Sequence, residues 1–422
     1  MVRGSALGRK IAVRRGAPGA ASRATVVGPP RFPLRPRALV LSEPLAYPRN
    51  MLTNLAIALG LAQAPSTAPV IDVAAILDSL RVEHDMPGLV AAIIDVEGVV
   101  AIGACGVRER GNAAKLLITD RMHLGSCTKS MTATLAAVLV EAKKLAFETT
   151  VGESFADWST DIHADWKPVT LEQLLTHRAG ASGDIEPKLW ARLFESSDAP
   201  RAQREQLARS VFGMAPQFPP GTKFEYSNAG IAIAGLMLER AADQDFEALM
   251  SAQLFAPLGM QRAGFGPPGT KAGIDEPRGH RSDGKPVGIG RGADNPPAIA
   301  PAGRVHAPLE EWGSYAALHL RGEKDGGLGI TPATFIRMHT PPNDGLDAYA
   351  MGWMSLERTW GGRVLTHSGS NTLWFCVAWL APEKGFGVLV ATNQGGEAAT
   401  KAADAAAGAL IGAWTKRGET PR

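Results

Sequence analysis

Where the strand-forming residues fall constrains this chain more than any other feature. Residues 88–96 and 99–107 are rich in β-branched and small apolar residues, with Glu97-Gly98 between them as a turn. The next comparable runs come near the other end, at residues 363–367, 373–380 and 386–392, with Lys384-Gly385 turning between the last two. The stretch between the two groups reads as helical. Met131, Leu135, Val138 and Leu139 share one face of a helix starting at Ser126, and residues 170–177 and 229–250 read the same way. Helical spacing also covers residues 70–84, and an Ala-rich helix covers 397–415. Residues 265–305 are dense in Gly and Pro and are expected to form a long surface loop. The 422-residue length allows two or three domains or one large one. Strands at both ends with helices between predict the latter. The expected class is α+β: one antiparallel sheet built from the N- and C-terminal strands, flanked by helices, with a central helical lobe.

The net charge of +3 hides an uneven distribution. Residues 1–50 hold ten Lys/Arg and one acid, Glu43, for a local charge of +9, which leaves the remainder at −6. The body therefore lacks the broad basic surface of a nucleic-acid-binding protein. Residues 1–50 are rich in Arg, Pro, Gly and Ala without apolar periodicity, so they read as a disordered or mis-assigned basic extension. Met51 precedes an apolar run, Leu55 to Leu61, and then Ala62-Gln63-Ala64. Residues 51–64 thus read as a signal peptide if Met51 is the natural start, giving a periplasmic or secreted protein; otherwise the protein is expected in the cytoplasm. The apolar run is too short to span a bilayer, and no integral membrane span is expected. The three cysteines, Cys105, Cys127 and Cys376, fit no zinc spacing and read as small buried side chains. The nine histidines show no H-E-x-x-H, so neither metal nor cofactor is expected.

The chemistry-bearing residues form an ordered series. Ser126-Cys-Thr-Lys129 places a hydroxyl and an amine three residues apart at a helix start, so both lie on one face. Serine is a weak nucleophile that needs a neighbouring base, and a lysine whose pKa is lowered by burial can supply one. Ser282-Asp-Gly-Lys285 has the same spacing but no helix behind it, and is read as chance. Tyr226-Ser-Asn228 is the one Y-x-N in the chain, and His367-Ser368-Gly369 stands at a predicted strand end. No G-x-S-x-G elbow, P-loop or well-placed dinucleotide fingerprint competes with this series.

The order S-x-x-K, Y-x-N, (K/H)-(S/T)-G, with gaps of this size, resembles the class C β-lactamase and penicillin-binding-protein family. That family includes D-alanyl-D-alanine carboxypeptidases, D-aminopeptidases and family VIII esterases. Leu174-Leu-Thr-His-Arg-Ala-Gly180 and Met351-Gly-Trp353 are similar to two further family segments, and the likeness covers roughly residues 70–415. It implies a β-lactamase/transpeptidase-like fold over residues 65–422. It also implies that Ser126 attacks a carbonyl to form an acyl-enzyme, while Lys129 and Tyr226 share the proton and Tyr226 passes one to the leaving group. A phenol near two cations is then expected to have a depressed pKa. Asn228 is expected to hydrogen-bond Lys129 or the acyl side chain, and the amides of Ser126 and Ser370 to form an oxyanion hole. His367, Ser368 and Gly369 are expected to line the substrate strand, with Gly369 letting substrate lie against its edge. His177 reads as a helix C-terminal side chain, and Trp353 fits either the pocket or the core.

Two departures bear on substrate. His367 stands where β-lactamases commonly carry Lys, and a histidine of ordinary pKa is mostly neutral at pH 7. No Gln occurs between Arg178 and Arg201, where class C enzymes usually have one. Both favour a serine hydrolase of the peptidase or esterase type, acting on a small amide or ester. The alternatives are a true β-lactamase or D-alanyl-D-alanine carboxypeptidase and, in another class, an inactive penicillin-binding-type sensor or scaffold.

Overall fold

The computed structural model describes residues 71–269 and 273–419. The basic extension and signal peptide read from residues 1–50 and 51–64 lie outside the described residues. Six strands form one antiparallel sheet: β1 (Gly88–Asp95), β2 (Val99–Gly106), β6 (Met354–Arg358), β7 (Gly362–Ser370), β8 (Phe375–Ala381) and β9 (Phe386–Thr392). Their spatial order is β2-β1-β9-β8-β7-β6. The two ends of the chain meet where β1 pairs β9, from Leu89↔Thr392 to Asp95↔Phe386. A second, small sheet joins β3 (Met122–His123), β4 (Gly264–Phe265) and β5 (Val305–Ala307) in the order β3-β5-β4.

The sheet is covered on both faces, which is why β1 and β9 read as unbroken apolar runs rather than alternating ones. Leu89, Ala91 and Ile93 pack with the terminal helices α1 (Val73–Glu83) and α12 (Glu397–Glu419). Val90, Ala92 and Ile94 point the other way into the larger core, where α10 (Leu309–Asp325) covers the sheet. The remaining helices build the lobe: α2 (Thr128–Glu141), α3 (Val151–Ser154), α4 (Leu171–Leu175), α5 (Pro187–Glu195), α6 (Pro200–Phe212), α7 (Asn228–Ala242), α8 (Phe246–Met250), α9 (Ala300–Gly303) and α11 (Pro332–His339). At its centre α2 and α7 are buried over most of their surface. The hydroxyls that this sinks are satisfied locally: Ser130 donates to Cys127 O, Thr134 to Ser130 O and Thr132 to Pro301 O.

Three expectations about elements are corrected. Ser126 does not open a helix: it is the middle residue of a 3₁₀ turn, Gly125–Cys127, and α2 follows from Thr128. The helix expected over 229–250 is broken by Asp243, whose positive φ of 51° ends α7 before α8 begins. Residues 265–305 form a surface loop only in part: residues 281–292 are largely exposed, but the stretches on either side are not. Arg278, His280, Asp294, Ala298, Ile299, Ala300 and Ala302 are buried. The Gly and Pro residues break the helical period, but the end of the segment is buried, with α9 packed against α2 and α7.

Candidate active site

Three elements bring the expected residues together: the turn before α2, the start of α7 and the end of β7. Gly125 has φ +47°, and a Cβ there would stand 2.4 Å from Ser370 N. A Cβ on buried Gly369 would stand 2.0 Å from Leu124 O and 2.9 Å from Ser126 N. The turn and β7 thus touch backbone to backbone, and glycine is required on both sides. This corrects the role expected of Gly369: its bare α-carbon faces the Ser126 turn. The amides of Ser126 and Ser370 flank the same junction. Ser370 Oγ is occupied, donating to Trp374 O at 2.6 Å and accepting from Thr372 N at 2.9 Å. The β6 ladder ends at Met354↔Thr366, so among the described residues 367–370 pair on the β8 side alone. His367–Ser370 therefore present a free strand edge.

Lys129 is fully buried. Its Nζ lies 3.0 Å from Ser126 Oγ, 2.7 Å from Asn228 Oδ1 and 2.7 Å from Ala302 O. All three neighbours are neutral, and among the described residues no carboxylate pairs with it. Burial lowers its pKa from 10.5 to about 7. A neutral amine here can donate to Asn228 and Ala302 and turn its lone pair toward the Ser126 O–H.

Tyr226 covers this amine, with Nζ 4.6 Å from the ring centroid. The expectation of a depressed phenol pKa is overturned. Burial raises it well above the ordinary range, and the hydrogen bond with Ser126 offsets only part of that. The reason is that burial acts on both partners: it also neutralises the lysine that was to supply the cationic field. Tyr226 is therefore a protonated phenol.

His367 is buried, with Nε2 2.9 Å from Tyr349 Oη. Arg363, four residues earlier, is turned away and ion-pairs Glu323. Trp353 belongs to the core, 1% exposed and packed on His319. Gly352, at φ +79°, lets its loop touch the α2 backbone, since a Cβ would lie 2.5 Å from Ser130 Cα. Ser368 is exposed on the strand edge.

The sequence did not announce Ala302, and it marked His177 only as a helix C-terminal side chain, which it is. Ala302 O contributes a backbone carbonyl, which no motif announces. His177 lies just past α4 at φ +61°, with its ring 4.4 Å from that of Tyr226. Its Nδ1 accepts from Ser227 N at 3.1 Å, and its carbonyl accepts from Glu225 N at 2.9 Å. Burial holds its pKa well below the usual value, so it is a neutral brace behind Tyr226. The next residue, Arg178, donates to Thr176 O, Asp347 O and Tyr349 O and fixes the loop that carries Tyr349. The Leu174–Gly180 segment thus shapes the site from behind. Among the described residues, no cluster of three or more His, Cys, Asp or Glu side chains is placed to hold a metal ion.

A family model described as Beta-lactamase matches residues 73–413. Penicillin-binding protein 4 of Amycolatopsis lactamdurans is 31% identical over 189 residues, covering 44% of this chain and 46% of that protein. Unguisins hydrolase ungD' of Aspergillus campestris is 24% identical over 324 residues, covering 73% of this chain and 58% of that protein. The chain thus spans about half the length of these curated relatives. Among solved structures, the octameric penicillin-binding protein homologue from Pyrococcus abyssi superposes with a TM-score of 0.65 at 23% identity, over 81% of this chain and 78% of that one. At that identity the superposition speaks for the β-lactamase/transpeptidase-like fold. With a family model spanning most of the chain and the same fold in solved relatives, this protein belongs to the beta-lactamase family.

Proposed function

We propose that this protein is a serine hydrolase that cleaves a small amide or ester through an acyl-enzyme on Ser126. The observation that carries the reading is the buried Lys129 amine, 3.0 Å from Ser126 Oγ, surrounded by neutral acceptors and poised near neutrality. Lys129 takes the Ser126 proton as Oγ bonds to the substrate carbonyl carbon. The developing oxyanion meets the amides of Ser126 and Ser370. Tyr226, a neutral phenol, gives its proton to the leaving amine or alcohol and recovers one from the Lys129 ammonium. Water then enters, is deprotonated by the same pair and releases the acid product.

His367 bears on the substrate. It sits where a fixed lysine cation would hold a substrate carboxylate, and its Nε2 is engaged by Tyr349. The site therefore favours esters and amides without a terminal carboxylate. The penicillin-binding name of one relative keeps a second reading in view, with a β-lactam as acyl donor.

Intact-mass measurement after exposure to a fluorophosphonate and, separately, to a penicillin tests the reading. Addition of one phosphonate, lost in Ser126→Ala, is expected. A folded protein that resists the phosphonate would instead favour an inactive sensor or scaffold. A penicillin adduct lost in the same variant would move the substrate to β-lactams.

A further inference from the structure

Beneath the Ser126 turn lies a buried polar cluster for which the reaction above has no use. Asp294 Oδ1 is 2.9 Å from His123 Nε2, in a bent approach, and accepts from Asn371 Nδ2 at 3.1 Å and Asn295 N at 2.7 Å. Its Oδ2 accepts from Arg304 Nε at 3.1 Å. His123 Nδ1 accepts from Gly125 N at 3.1 Å, and Asn371 directly follows Ser370. The carboxylate therefore reaches both sides of the junction that holds the Ser126 and Ser370 amides.

We infer that Asp294 is a positioning residue that, through His123 on one side and Asn371 on the other, holds the two oxyanion-hole amides in register. The inference rests on the acyl-enzyme reading of Ser126. A ring nitrogen that accepts from Gly125 N–H carries no hydrogen, so a neutral His123 has its proton on Nε2, facing Asp294. Without the carboxylate either tautomer is allowed. In the wrong one, Gly125 N–H is buried against another N–H and the turn must shift. Asn371 ties the other amide to the same oxygen, and its own Oδ1 accepts from Leu373 N at 3.2 Å. The Asp294 segment also serves the base: Ala302, whose carbonyl takes Lys129, lies just before Arg304. A counter-ion for Arg304 alone would have no need to contact both halves of the junction.

The test compares wild type, Asp294→Ala and His123→Asn. Asparagine at 123 keeps an acceptor for Gly125 N–H but cannot reach Asp294. Each protein is assayed for phenylboronic acid affinity, as a tetrahedral adduct of Ser126, for kcat and KM on a p-nitrophenyl ester, and for thermal midpoint. Both variants are expected to lose boronate affinity and kcat together, by roughly 10- to 100-fold, less than the loss of a whole donor. KM should stay within about threefold of wild type. Should Asp294→Ala fail to fold, His123→Asn carries the comparison. Folded variants with wild-type boronate affinity and kcat, or a change confined to KM, overturn the inference and leave the Ser126 reading standing. A wild type that neither binds the boronate nor turns over esters removes that reading, and this inference with it.

Discussion

Lys129 and Tyr226 are both shifted toward their neutral forms by the same burial, and the pH response of the enzyme should carry that signature. kcat/KM is expected to rise with pH through an apparent value of about 7 as Lys129 loses its proton. It should then hold level, because the raised Tyr226 pKa puts the phenolate beyond the usable range. A falling limb between pH 8 and 10, measured as roughly a tenfold loss, would contradict the assignment. Stability should respond as well. The folded amine has the lower pKa, so between about 7 and 10.5 the unfolded chain binds a proton that the folded one does not. Stability must then rise with pH across that window. Urea midpoints of wild type should climb over this range, and Lys129→Met should flatten the climb; an unchanged slope would mean that the lysine is charged when buried. Ser126, Lys129 and Tyr226 were legible in the sequence because their side chains and order along the chain carry the pattern. The sign of the Tyr226 shift was not legible, since it depends on a burial that acts on both partners. Ala302 was hidden because any residue provides a carbonyl, and Asp294 because it lies in a Gly/Pro-rich run without period.

The elements that could be read were those with a long, uniform signal. β1, β2 and β9 fall within a residue of their expected limits, and for β1 and β9 the reason is that helices on both faces demand continuous apolar strands. β6 was missed: Met354–Arg358 is a short edge strand, half exposed and ending in Glu-Arg. α4 was read within residues 170–177 whereas α3 was not, although both open on capping boxes, Thr150 with Glu153 and Thr170 with Gln173. The contact that matters most for the site joins two elements remote in sequence, β7 and the Ser126 turn. Gly369→Ala tests it. The added methyl meets Leu124 O and the Ser126 amide, both backbone, so neither can rotate aside. The protein should lose about 1–3 kcal/mol of stability, as overpacked cores do. Phosphonate labelling of Ser126 should slow by at least roughly tenfold, as when a hole donor is misplaced. Labelling at the wild-type rate would show that the turn and strand tolerate separation.

At the scale of the whole molecule, the sheet was foreseeable from its ends, whereas the lobe is held by interactions that only folding assembles. Arg204 on α6 is entirely buried and donates to both oxygens of Glu239 on α7, both oxygens of Glu247 on α8, and Pro297 O. Glu239 Oε1 also accepts from Phe246 N at 2.8 Å, at the start of α8. Three helices and the segment leading to α9 thus meet on one guanidinium. Replacing it with methionine leaves the fully buried Glu239 carboxylate without its counter-ion, while Glu247, a quarter exposed, can turn to water. Arg204→Met should therefore cost about 3–5 kcal/mol. Adding Glu239→Gln removes the stranded charge, keeps an acceptor for Phe246 N–H and should recover most of the loss. Glu239 is eleven residues along α7 from Asn228, about 16 Å at helical rise. Both variants, assayed while folded, should then label at Ser126 near the wild-type rate. Urea denaturation and labelling on the same samples separate the two effects. If the double variant is no more stable than the single, the cluster acts through packing rather than charge. If labelling falls in step with stability, the lobe transmits strain along α7 to Asn228, and the site depends on the clamp as well as on its own contacts.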